Sequence, residues 1–227
     1  MPARIFGVVL TVALLFLAAP GQSARQATPK LTPDALEAIN TRSQVVTYRG
    51  RTALQLLPLP GKENGDEDML AIVNGTSFKD GTIEFEVAGT PSAGAKPDMR
   101  GFIGIAFRVQ SHGNGFECFY LRPSNGRSDE QLRRNHSLQY VSEPDYGWQR
   151  LRTENPGVYE SYADMVPGQW TKVKVEVKGT KARLYVNGSD QPGLIVNDLK
   201  RGESSGQIAL WSHTSTEGFF SNLTVRE

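Results

Sequence analysis

Polar and apolar positions alternate with a period of two along most of this chain. In Thr82–Ala88, Ile83, Phe85 and Val87 fall on one side, with Glu84 and Glu86 on the other. In Thr171–Lys178, Val173, Val175 and Val177 oppose Lys172, Lys174, Glu176 and Lys178, and in Lys181–Asn187, Ala182, Leu184 and Val186 oppose Arg183 and Tyr185. Successive side chains of an extended strand point to opposite faces, so each segment predicts a strand with one face on a core. Gln44–Arg49, Thr52–Leu57, Met69–Val73, Gly101–Val109, Gly115–Arg122, Ser137–Val141, Gly193–Val196, Gly206–Ser212 and Gly218–Val225 are further strand candidates. Turn signals such as Asn74–Gly75, Lys79–Asp80–Gly81 and Asn187–Gly188 separate many of them. Short strands with turn punctuation and almost no helical periodicity predict an all-β sandwich or barrel. One short N-terminal helix is expected, capped by Thr32, opened by Pro33 and making two turns over Asp34–Asn40.

The start of the chain has a different pattern. Met1–Arg4 carries one positive charge, Ile5–Ala19 is almost wholly apolar, and small and turn-forming residues follow to Ala24. This layout predicts a signal peptide over residues 1–24 and a periplasmic or secreted mature protein. The apolar run is shorter than the roughly 20 residues that span a bilayer, and no second one follows, so no membrane insertion is expected. Residues 25–43 form an N-terminal extension bearing the short helix, and 44–227 one sandwich domain. Without Arg4, the chain's 25 basic and 24 acidic residues balance. A neutral chain excludes nucleic acid as the main partner, because that partner rewards a dense positive field. Cys118 is the single cysteine, in the apolar segment Phe116–Glu117–Cys118–Phe119–Tyr120, and is expected to pack as a small buried hydrophobe.

Three segments together carry a resemblance. Phe78–Val87, the stretch from Gly168–Gln169–Trp170–Thr171 to Tyr185–Val186–Asn187–Gly188, and Gly206–Trp211 with Phe219, Asn222 and Val225 resemble framework strands of concanavalin-A-like (laminin-G-like) jelly rolls. The same trio is similar to bacterial domains related to the 3-keto-disaccharide hydrolases. The resemblance implies a jelly-roll β-sandwich of two antiparallel sheets. Lectins, glucanases, lyases and adhesion modules share this fold, so function has to be argued from a site.

No complete catalytic motif is present. The laminarinase-type members place three carboxylates at i, i+2 and i+4 on one strand, whereas here Glu84 and Glu86 are followed by Ala88. His136 and Tyr140 are four apart and would share a face of an extended strand, as a base–acid pair requires. No zinc-binding spacing is visible, and no cofactor is expected; Asp66–Glu67–Asp68 is the one acidic run that could help to hold Ca2+.

The long irregular stretch Arg122–Tyr162 is the richest in recognition chemistry. It interleaves arginines with Tyr140, Tyr146, Trp148, Tyr159 and Tyr162. Sugars are bound by flat aromatic faces together with planar hydrogen-bonding groups, of which the guanidinium fork is the strongest. The binding candidates are Arg122, Asn125, Arg133, Arg134, His136, Tyr140, Trp148, Arg150, Arg152 and Tyr159. Trp148, Arg150 and Arg152 are expected to share one face of an extended segment. The expected function is an exported carbohydrate-recognition domain. The alternatives are a saccharide-cleaving enzyme, hydrolase- or lyase-like, and an adhesion module with a protein partner.

Overall fold

A computed structural model describes residues 1, 3, 26–63 and 65–227. The export segment read over residues 1–24 lies, apart from residues 1 and 3, outside the described residues.

Two antiparallel sheets pack face to face. The first is built from β1 (Gln26–Ala27), β3 (Thr41–Tyr48), β4 (Arg51–Pro58), β6 (Gly81–Pro91), β11 (Thr171–Lys178), β12 (Lys181–Val186), β13 (Leu194–Val196) and β15 (Thr216–Arg226). Its order is β13-β12-β11-β6-β15-β4-β3, with β1 added alongside β15. The second holds β2 (Leu36–Ile39), β5 (Asp68–Val73), β7 (Ile103–Val109), β8 (Phe116–Leu121), β9 (Leu138–Glu143), β10 (Glu160–Ser161) and β14 (Gln207–His213). Its order is β10-β9-β8-β7-β14-β5-β2. Two short helices, α1 (Gln131–Arg134) and α2 (Trp148–Glu154), lie in the long irregular stretch. Every strand segment read from the alternation is a strand in the structure.

The alternation also says which face is buried. Ile83, Phe85 and Val87 of β6 enter the core between the sheets with Val173, Val175 and Val177 of β11 and Leu184 of β12. Cross-strand pairing aligns them, with Val175 opposite Ile83 on one side and Leu184 on the other. The facing sheet contributes the row Ala71–Leu210–Ile105–Phe119–Tyr140. Burying a side chain of this size stabilises by roughly 1.5–3 kcal/mol, which is how a chain with one buried, unpaired thiol holds its fold. Burial also raises the Cys118 pKa well above its ordinary value, leaving the thiol protonated.

Two local expectations are corrected. Pro33 opens only a single 3-10 turn, Pro33–Ala35, and Leu36–Ile39 is strand β2. Pairing with β5, Leu36 opposite Val73, provides hydrogen bonds and packs Leu36 on the core, which two isolated helical turns cannot match. Trp148–Arg152 is likewise helical, the first five residues of α2.

The second sheet carries a further apolar layer on its outer face. Leu70, Ile72, Ala106, Phe116, Cys118, Tyr120, Val141, Ala209 and Trp211 form this cluster, with Phe102 packed against it. These are the alternate positions of strands whose other residues fill the main core, so β5, β7, β8, β9 and β14 are apolar on both faces. Part of this outer layer, Tyr120, Val141 and Trp211 with Phe102, lines a cleft.

Candidate functional site: an arginine-walled cleft

The cleft has a volume of about 600 Å3. Its floor begins with the Trp211 and Tyr120 rings, stacked with centroids 4.7 Å apart and planes 25° from parallel. Gly104 sits between them in the ladder, paired with Trp211 on β14 and with Tyr120 on β8. A Cβ on Gly104 would meet the Phe119 carbonyl oxygen at 2.1 Å and Tyr120 Cβ at 2.8 Å. The position therefore requires glycine, and its lack of a side chain lets the two rings meet across it. Asp68, His213, Val141 and Glu143 also line the cleft.

The walls come from loops and from α2. The segment after the Asn125 turn makes one short helix, α1, and then hands His136 to the start of β9. The Arg122 Nη1 and Asn125 Nδ2 groups both donate to the His136 carbonyl at 3.1 Å, which fixes this corner. The His136 ring lines the cleft, its Nδ1 2.8 Å from Oε2 of Glu160. Glu160 is also gripped by Arg152, whose Nη2 donates at 2.7 Å and whose Nε donates to both carboxylate oxygens at 3.1 Å. On α2, Trp148 and Arg152 are one helical turn apart and share the cleft-facing side, with the Arg152 guanidinium 4.7 Å from the Trp148 ring centre.

Arg122 is the central feature. Its residue is only 5 % exposed, yet it forms none of the ion pairs among the described residues. Its Nη1 donates to the Gln139 Oε1 at 3.1 Å as well as to His136, and its Nη2 donates to the Tyr120 hydroxyl at 2.9 Å. The rings of Tyr120, Phe102 and Trp148 surround it at 5.0, 5.8 and 5.9 Å. Burial pulls the pKa of this guanidinium below its ordinary value, and it pushes the Tyr120 phenol up to about 12. Burial likewise lowers His136, and raises the Asp68 and Glu143 carboxyls.

Of the binding residues expected from the sequence, Arg122, Asn125, Arg133, His136, Trp148 and Arg152 line this cleft. Four others do not. Arg134 donates to the Tyr162 hydroxyl at 2.8 Å and stacks over its ring. Arg150, on the opposite side of α2 from the cleft, pairs with Glu154 at 2.8 Å and lies over Tyr146. Tyr140 points into the core, where its hydroxyl donates to Glu117 Oε2 at 2.5 Å. Tyr159 also packs in the core and donates to Asp198 at 2.6 Å. The expected convergence of His136 and Tyr140 is therefore corrected: β9 begins after His136 and sends Tyr140 inward.

Glu84 and Glu86 face outward on the other sheet, Glu84 paired with Arg226 and Glu86 with Arg51 at 2.5 Å. Of the acidic run, Asp66, which pairs with His213 at 3.0 Å, and Asp68 both line the cleft, while Glu67 turns to Lys62 at 2.7 Å. Among the described residues, no three His, Cys, Asp or Glu side chains converge as a metal-binding group. The sequence reading missed Tyr120, Trp211, His213 and Glu143, which strand order rather than chain proximity brings to the cleft, and Lys96, Arg100 and Phe102 from the connection between β6 and β7.

No curated protein matches the chain in sequence. Among solved structures it is similar to a carbohydrate binding module from Bacillus subtilis, at 15 % identity and TM-score 0.57, over 84 % of this chain and 95 % of that one. A Bacillus subtilis protein of unknown function with a galectin-like fold aligns at 10 % identity and TM-score 0.54, over 85 % and 89 % of the two chains. A legume lectin-like domain from Entamoeba histolytica aligns at 9 % identity and TM-score 0.50, over 86 % and 90 %. These likenesses establish the fold, a concanavalin-A-like jelly roll. Residues 43–226, nearly the whole sandwich, match one family, and the chain belongs to it: the 3-keto-alpha-glucoside-1,2-lyase-like domains.

Proposed function

We propose that this chain is an exported carbohydrate-recognition domain that binds a sugar chain in the Arg122 cleft. The observation that carries the reading is the Arg122 corner itself. A buried guanidinium with free donor capacity sits among Tyr120, Phe102 and Trp148, above a floor of stacked rings. Aromatic faces cover the C–H faces of a sugar ring, and the planar donors fix its oxygens. The likeness to a carbohydrate binding module supports the reading at the level of fold. The charge–apolar–small layout of residues 1–24 supports export. The test is a calorimetric screen against an oligosaccharide panel, with chromatography watching for released products. Trp148→Ala should weaken binding at least fivefold, the loss of about 1 kcal/mol that an aromatic anchor often carries, with the melting temperature nearly unchanged. Unchanged affinity in that variant overturns the reading.

A second reading, cleavage by elimination, is favoured by one observation and by the family. Neutral His136, its Nδ1 2.8 Å from Glu160, lines the cleft beside Arg122. On a 3-keto glucoside, His136 would take the proton from C2, which the ketone acidifies. The C1=C2 double bond would form as the C1–O bond breaks, and the departing oxygen would take up a proton from water. Arg122 would stabilise the charge that develops on the ketone oxygen. Appearance of an unsaturated sugar from a 3-keto glucoside, abolished in His136→Ala, supports this reading. Binding without product overturns it and leaves recognition standing.

A further inference from the structure

The charges that line the cleft fall into two groups of neighbours. Arg100 lies within reach of the Arg122 and Arg133 charges, while Asp68 lies within reach of Asp66, His213 and Glu143. In the arginine group the positive charge is poorly matched. Arg122 and Arg100 take part in none of the ion pairs among the described residues, and Arg133 has Glu130 as its partner at 3.5 Å. Arg100 donates instead to the carbonyls of Pro97 and Met99 at 2.7 and 3.0 Å. Burial depresses the Arg100 pKa and the neighbouring Arg133 and Arg122 charges press the same way, only partly offset by Asp98 and Glu130. Holding a guanidinium out of water without a counter-ion is costly, and neutral acceptors and aromatic faces recover only part of the loss.

Two further groups point to what completes the site. Arg122 has five N–H donors, and its hydrogen bonds use two on Nη1 and one on Nη2, so Nε–H and the second Nη2–H have no acceptor among the described residues. Asn125, only 4 % exposed, lines the same cleft, and its buried Oδ1 has no partner. A planar carboxylate fits a guanidinium fork through two parallel hydrogen bonds. A ring hydroxyl beside that carboxylate would donate to the Asn125 oxygen.

We infer that the cleft is selective for an acidic oligosaccharide whose hexuronate carboxylate sits on Arg122 between Arg100 and Arg133. This rests on the carbohydrate reading above and adds the chemical class of the sugar. The acidic group rejects a second carboxylate, so one uronate is oriented toward Arg122 and the rest of the chain runs over Tyr120 and Trp211.

The experiment titrates the full chain with neutral oligosaccharides that carry a single terminal galacturonate, glucuronate or mannuronate. Each is compared with the same oligosaccharide after reduction of its carboxyl to a primary alcohol. At least one uronate should bind tenfold or more tighter than its reduced partner, with affinity falling as salt is raised. The Arg100→Gln/Arg133→Gln variant, altered only in loop and α1 side chains, should bring the two forms within threefold of each other. Arg122→Lys keeps the charge but loses the fork, and should weaken the uronate selectively; the loop variant carries the test if Arg122→Lys does not fold. Equal binding of acid and reduced forms overturns the inference while leaving carbohydrate recognition intact. Absence of binding by either form of every backbone overturns both.

Discussion

The Trp211 indole and the Tyr120 ring stack at 4.7 Å across Gly104, a residue with no side chain to part them. A single strand position thus sets the floor of the cleft. A methyl group there would collide with the Phe119 carbonyl and with Tyr120 Cβ. Gly104→Ala should therefore destabilise the fold by about 1–3 kcal/mol, the usual cost of overpacking, and weaken ligand binding as Tyr120 is displaced. Denaturant midpoints and calorimetry check both effects; a variant as stable and as competent as the parent contradicts the assignment of Gly104 as the pivot of the floor.

Tyr140 provides the opposite case, a residue with the right chemistry in the wrong place for it. Its hydroxyl donates to Glu117, which is fully buried, and accepts from the Lys200 amide at 2.8 Å. Tyr140→Phe removes the donor and leaves a buried carboxylate oxygen without it, at a cost of about 1–3 kcal/mol of stability. Sugar affinity should be unchanged. Loss of binding with stability intact would return Tyr140 to the site.

His136 supplies a pH dependence. Burial lowers its pKa below the ordinary 6.5, outweighing the attraction of Glu160. With a depressed folded-state pKa, the unfolded chain takes up the proton first as pH falls. The contribution to stability is therefore complete above about 6.5 and is lost as pH drops from there through the folded-state value. NMR titration of the ring should give a midpoint under 6.5, and His136→Gln should lose less stability than the parent between pH 7 and pH 5. A ring titrating above 6.5 contradicts the dominance of burial.

The fold was legible because alternation reports burial directly: Ile83, Phe85 and Val87 cannot face water together while Glu84 and Glu86 face the core. The site was legible only where it is local. Arg122, Asn125, Arg133, His136, Trp148 and Arg152 fall in one irregular stretch whose wealth of arginines and aromatics marks it. Tyr120 and Trp211 carry no such mark, because strands buried on both faces lose the alternation that would tell the faces apart. The five residues from Trp148 to Arg152 were too few to separate period 2 from period 3.6. In the structure α2 buries Leu151, sets Trp148 and Arg152 on the cleft and turns Arg150 away.

The chain's three tryptophans allow the site to be located without first knowing the pose of the sugar. Trp148 and Trp211 line the Arg122 cleft, whereas Trp170 packs against Ala88 and Phe219 on the outer face of the other sheet. Titrating 15N-labelled protein with the tightest-binding oligosaccharide, while following the three indole N–H resonances, is the most direct measurement. The Trp148 and Trp211 signals should move together along one saturable curve, with Trp170 still. Movement of Trp170, or stillness of both cleft tryptophans at saturation, would contradict the cleft as the binding site.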